Sequence, residues 1–194
     1  PGRVPLGGIS AFASMLDRYD FRGLEVRRPD RPFSGSHRLD VGGRRVDLIE
    51  VGPAHTPGDA IAWVPDARVV FAGDIVFNGV VPIMWAGPVE NWIAALDLIE
   101  GLEPRVVLGG HGPPAGLDEV RVLRDHWRWL AAEVVAAGDE KPGALAERLV
   151  RSREWEDSPW GGWRLPERAA VNVARIAATT EGRAPKPLST LERI

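Results

Sequence analysis

Three side chains able to bind a metal ion stand just behind short apolar runs. His55 follows Val51, Asp74 follows Val69-Val70-Phe71-Ala72, and His111 follows Val106-Val107-Leu108. Imidazole nitrogen and carboxylate oxygen are suitable zinc ligands, and three protein ligands with an open fourth position can acidify a water to a pKa of about 7. The chemistry in view is metal-assisted hydrolysis. Glycines accompany all three residues, and glycine permits the close backbone approach needed where several loops converge on one point. A lone loop histidine is more often a surface or hydrogen-bonded residue than a ligand, so spacing alone leaves both readings open.

Neighbouring residues carry secondary expectations. Asp59, four residues after His55, could orient that imidazole as an acceptor or cap the start of the next element. The segment from Phe77 to Trp85 is apolar yet broken by Gly79 and Pro82. It fits a substrate-pocket wall presenting Phe77, Met84 and Trp85, and equally a piece of core. Trp155, Trp160 and Trp163 lie in a Gly-rich stretch, where aromatics close a small C-terminal core more often than they bind a ligand.

The elements that must position these groups follow from periodicity. Leu6, Ile9, Phe12, Ala13 and Leu16 have helical spacing, and the Arg- and Pro-rich stretch after them reads as an exposed loop. Residues 38–51 form a predicted hairpin around Gly42-Gly43, and Ala60 to Val64 with Arg68 to Ala72 form a second pair around Pro65-Asp66-Ala67. The run Val69 to Ala72 reads as a strand buried on both faces. Pro88 opens and Gly101 closes an amphipathic helix, and Arg105 to Leu108 is a strand delivering His111 at its end. Beyond Pro114 the pattern is helical: one long stripe through Val120, Leu123, Trp127, Leu130 and Val134, then shorter signals near 144–150 and 166–177, with a frayed tail from Glu181. Strands alternating with helices in the first two-thirds indicate an α/β class.

Composition narrows the partners. A net charge of -3, with basic residues scattered along the 194-residue chain, argues against nucleic acid. With no cysteine, disulfides and thiolate ligands are excluded, and a reducing cytoplasm is the default localisation. No apolar run approaches the ~20 residues that span a bilayer, so no membrane partner is expected. A small-molecule substrate remains, and oligomeric state is unreadable.

The ordered motifs Ala54-His55-Thr56-Pro57-Gly58, Phe71-Ala72-Gly73-Asp74 and Leu108-Gly109-Gly110-His111-Gly112-Pro113 resemble those of the metallo-β-lactamase superfamily. The resemblance covers roughly Leu39 to Pro114. It implies that His55 binds a first metal, that Asp74 bridges two metals as the central catalytic carboxylate, and that His111 binds the second. It implies zinc, two ions in a complete protein, with iron possible, and a metal-bound hydroxide attacking a small ester, thioester or lactone. The implied fold is the C-terminal half of the αββα sandwich plus a helical extension: a partial metallo-β-lactamase-like domain over 1–116 and a helical extension over 117–194. An aspartate at the bridging position is closer to the glyoxalase II, lactonase and ribonuclease Z branches than to lactamases with cysteine there.

The sequence departs from the family at its His-x-His-x-Asp-His motif, which lies upstream of His-Thr-Pro-Gly and is absent from residues 1–54. Only His37 occurs there, read as a solvated loop or strand-start residue. His126 follows Asp125 but lacks the motif's other histidines, and is read as a surface residue of its helix. The chain begins with Pro, and the reading is of a fragment whose missing motif leaves at most one loosely held metal. The competing expectations are a truncated, non-catalytic remnant and an iron-dependent redox or dioxygenase relative.

Overall fold

A computed structural model describes residues 19–25 and 27–180. The helix expected over Leu6 to Leu16 and the tail from Glu181 lie outside the described residues. The chain divides into two units, residues 1–32 with 186–194, and residues 33–185. In the first unit, the described residues form a local turn in which Leu24 N donates to Phe21 O at 3.1 Å, and Asp20 accepts from both the backbone and the guanidinium of Arg22.

The second unit is built on a five-stranded sheet in the order β1 (Ser36–Val41), β2 (Arg44–Glu50), β3 (Ala60–Val64), β4 (Val69–Phe77) and β5 (Val106–His111). The first three pairings are antiparallel and β4–β5 is parallel. Both predicted hairpins are present, each with its expected turn. A parallel pair needs a crossover, and α1 (Val89–Gly101) supplies it. Its buried side chains, Val89, Trp92, Ala95, Leu96 and Ile99, recur every three or four residues and form the stripe that packs on the sheet.

The helices α2 (Leu117–Ala137), α3 (Pro142–Val150), α4 (Arg153–Asp157) and α5 (Ala169–Thr180) follow, with a 3₁₀ turn at Pro166–Arg168. Glu119 accepts from Gly116 N at 2.7 Å where α2 begins, and Ser152 Oγ accepts from Trp155 N at 3.1 Å where α4 begins; such an N-cap contributes about 1 kcal/mol. Val120, Leu123, Trp127, Leu130, Leu145, Leu149, Val173 and Ile176 from these helices join Val70, Ala72 and Val107 of the sheet in one continuous core. Trp92 of α1 meets Trp127 of α2 with ring centroids 4.6 Å apart, a contact of about 0.5–1.5 kcal/mol beyond its buried area. On the solvent side Arg121 and Arg124 of α2 reach Glu100 of α1, and they hold its carboxyl below the usual range.

Among the described residues, helices cover one face of the sheet only. Val70 and Ala72 are buried beneath them, but Phe71 is 49% exposed, and Val41, on the same face by strand register and alternation, is 59% exposed. The expectation that Val69 to Ala72 is buried on both faces is therefore corrected: the run is apolar throughout, but only its alternate residues meet helices.

Candidate metal centre

The parallel pair β4–β5 brings the candidate ligands together. Asp74 lies within β4 and His111 ends β5, while His55 comes from the loop between β2 and β3. His55 Nε2 is 3.2 Å from Asp74 Oδ2, and His111 Nε2 is 3.6 Å from Asp74 Oδ1. One carboxylate thus faces a different imidazole with each of its oxygens. Two atoms bound to one zinc at about 2.0–2.2 Å, in tetrahedral geometry, sit roughly 3.4 Å apart, so both separations suit donors around ions.

Glycine makes this approach possible. A Cβ built on Gly110 would lie 1.8 Å from Asp74 Oδ1, so the carboxylate occupies the space any other residue would fill. At Gly112 a Cβ would lie 1.9 Å from Asn78 O, and φ is +88°, a region that disfavours other residues. There Asn78 N donates to His111 O at 3.0 Å, closing the strand end beside the site.

His55 is buried and its tautomer is set by its partner. Its Nδ1 lies 2.7 Å from the carbonyl oxygen of Ile83, which can only accept, so Nδ1 carries the proton. In a neutral ring Nε2 is then a lone pair aimed at Asp74 Oδ2. Two acceptors at that distance repel unless a proton or a metal ion lies between them. The donor types and the tautomer therefore fit a metal, which here would receive Nε2 of each histidine and the two oxygens of Asp74. As placed, the three do not close around a single ion: among the described residues, no group of three or more His, Cys, Asp or Glu side chains forms a ready-made cage.

Other candidates are placed differently. Asp59 does not meet the His55 ring; its carboxylate accepts from Ala54 N, Thr56 N and Thr56 Oγ1, at 3.0, 2.9 and 2.6 Å, and so braces the loop that carries His55. Of the two roles open to Asp59, orienting the imidazole falls to Ile83 O instead, because the loop after β4 folds back over His55: Trp85 N and Ala86 N both donate to His55 O. Phe77 and Met84 are core residues, 1% and 0% exposed, and offer no surface to a substrate. Trp85 is half-buried. The Phe77 ring is stacked on His111, centroids 4.6 Å apart and planes 18° apart, which fixes that imidazole's plane. His37 is exposed, as expected.

His126 corrects its expectation most sharply. It is fully buried, with Trp127, Trp155, Trp160 and Trp163 at ring-centroid distances of 5.3–5.7 Å. The helix stripe was drawn from aliphatic and Trp positions, and His126 sits next to Trp127, on the flank that the segment carrying the three C-terminal tryptophans covers. Trp155 and Trp160 do close a small C-terminal core, with Val81 and Ala169.

Sequence reasoning missed a support from α5. Asn172 is fully buried; its Oδ1 accepts from Met84 N and its Nδ2 donates to Pro82 O, both at 2.9 Å. It thereby grips both sides of Ile83, whose carbonyl holds His55. An Asn inside an apolar helical stripe was the available signal.

Among known proteins, the sequence pattern of the metallo-beta-lactamase superfamily matches residues 2–111. The Bacillus subtilis (strain 168) protein named "Probable metallo-hydrolase YqgX" is 31% identical over 109 residues, 53% of this chain and 51% of that protein. The 2,4-dinitroanisole O-demethylase subunit alpha of Nocardioides sp. (strain JS1661) is 27% identical over 154 residues, 74% of this chain and 45% of that protein. The chain spans about half the length of these relatives. In fold it is similar to a metallo-beta-lactamase family protein from Thermus thermophilus, with a TM-score of 0.59 and 21% identity over 80% of this chain and 50% of that one. It is also similar to the inverting sec-alkylsulfatase Pisa1 from Pseudomonas sp., with a TM-score of 0.58 and 13% identity over 84% of this chain and 28% of that one. The mixed α/β fold, the ordered motifs and the family pattern that runs through all three candidate ligands agree, and the chain belongs to the metallo-beta-lactamase superfamily, whose members are generally metal-dependent hydrolases.

Proposed function

We propose that this chain supplies His55, Asp74 and His111 as ligands of a metal centre, zinc in the first instance, and takes part in hydrolysis of a small ester, thioester or lactone. The observation that carries the reading is the His55 tautomer, with its Nδ1 committed to Ile83 O and its Nε2 lone pair facing a carboxylate oxygen at 3.2 Å. A zinc ion bound there supplies Lewis acidity toward the scissile carbonyl and toward a water. The chain's own residues do the positioning. Asp74 presents one oxygen to each histidine, Ile83 O and the Phe77 ring fix the two imidazoles, and Asp59 and Asn172 hold the loops that carry them. The remaining ligand positions are for water or for donors outside the described residues.

The incomplete cage favours one competing reading, a non-catalytic remnant that binds metal weakly or not at all. Equilibrium dialysis against zinc, with turnover of 4-nitrophenyl acetate and a simple thioester, separates the two. The reading expects zinc bound by the wild-type chain, and an Asp74→Ala variant with affinity reduced about 100-fold or more and no turnover. Equal zinc binding and turnover by that variant sinks the ligand assignment; cooperative unfolding with no zinc bound by the wild type establishes the remnant. Iron in protein purified without added metal points instead to the redox relative, since the same ligands suit it.

A further inference from the structure

The 3₁₀ turn before α5 delivers a cation to this site. Val81 N donates to Arg164 O at 2.9 Å and Arg164 N donates to Gly79 O at 3.2 Å, pinning the C-terminal segment to the loop that leaves β4. Leu165 then turns the chain with φ +62°, and Arg168 follows. Its guanidinium carbon lies 5.9 Å from the centroid of the Phe77 ring, the ring stacked on His111. Nη1 donates to Val81 O at 3.1 Å. Burial pushes the group's pKa down, opposed by the charges of Glu167 and Asp74, yet a guanidinium stays charged at any working pH. Arg38, Arg45, Arg121, Arg124 and Arg148 each pair with a carboxylate, whereas Arg168 makes no ion pair among the described residues. A half-buried guanidinium with one carbonyl acceptor among the described residues keeps donors for a further acceptor, and its planar fork matches a carboxylate in two parallel bonds.

We propose that Arg168 anchors the substrate of this site by binding a carboxylate that the substrate carries several bonds from its scissile carbonyl, so that the preferred ester, thioester or lactone is anionic. Its role toward a substrate rests on the hydrolase reading; carboxylate binding by Arg168 does not. The metal-free 194-residue chain, labelled with ¹⁵N, is titrated with succinate while the Arg168 Nε–H resonance is followed. A saturable shift that is absent in Arg168→Gln and weaker in Arg168→Lys is expected. No shift in the wild type overturns the proposal, and tighter binding of sulfate than of succinate overturns the choice of carboxylate.

The zinc-loaded chain is then compared on 4-nitrophenyl hemisuccinate and neutral 4-nitrophenyl acetate. Arg168→Gln is expected to lower the ratio of kcat/KM for the anionic ester to that for the neutral one about tenfold, through KM, with part of the loss restored in Arg168→Lys. Equal losses on both esters would show a purely structural role. Absence of turnover on either ester by the wild type counts against the hydrolase reading, and the succinate titration then decides Arg168 alone.

Discussion

His55 and His126 are both buried histidines set among aromatic rings, yet their polar atoms are treated in opposite ways. His55 has Trp92 and Phe77 at 5.9 and 6.0 Å, but each of its nitrogens has a partner: Ile83 O on one side, Asp74 on the other. At His126 neither nitrogen has a hydrogen-bond partner among the described residues, and burial pushes its pKa down to about 3. Trp155 and Trp160 stand edge-to-face with its ring, at 83° and 69°, and an aromatic face is at best a much weaker acceptor for an N–H. Burial by itself does not mark a functional histidine. The proposal for His55 rests instead on the carboxylate facing its free nitrogen, which is present at the strand-end site and missing from the tryptophan cage.

The largest expected effect tests the cage. The pKa of His126 is depressed on folding from an ordinary 6.5 to about 3, so below 6.5 the unfolded chain binds more protons than the folded one. Stability is then lost as pH falls from about 6.5 toward 3, by up to about 5 kcal/mol at one pKa unit per 1.36 kcal/mol. His126→Phe keeps the ring without its nitrogens. Urea unfolding across that pH range should show a shallower acid loss than wild type, and at neutral pH a gain of about 1–3 kcal/mol from removing unsatisfied polar atoms. An unchanged acid slope would mean that the imidazole is hydrated or paired in solution, and the comparison would collapse.

A somewhat smaller effect belongs to the other histidine. His55→Ala should weaken zinc binding about 100-fold by dialysis, while leaving the acid dependence of stability set by His126 in place. If zinc affinity is untouched, His55 is a structural histidine like His126.

The smallest effect sharpens the distinction between a ligand and its support. Asp59→Ala removes three hydrogen bonds from the loop bearing His55, and should reduce zinc affinity about tenfold and stability by roughly 1–2 kcal/mol in thermal melts. A loss as large as that of His55→Ala would place Asp59 among the ligands instead.

Much of the fold was readable in the chain because the signals were local. Period-two runs bounded by Gly42-Gly43 and Pro65-Asp66-Ala67 produce hairpins by themselves, and the three-and-four spacing of Val89, Trp92, Ala95, Leu96 and Ile99 specifies one helix face. The order of the His-Thr-Pro-Gly, Gly-Asp and Gly-Gly-His-Gly motifs was enough to nominate His55, Asp74 and His111, since each occurs within a few residues of a recognisable strand. Only the tertiary structure decided what surrounds them. Whether Asp59 or Ile83 O holds an imidazole, whether Phe77 and Met84 face a substrate or the core, whether His126 meets water or a cage of tryptophans, and whether Asn172 and Arg168 belong to the site depend mostly on contacts across 28 to more than 80 positions of sequence. Residue type and local period carry no information about such distances; they are set when helices from the far end of the chain close over one face of the sheet.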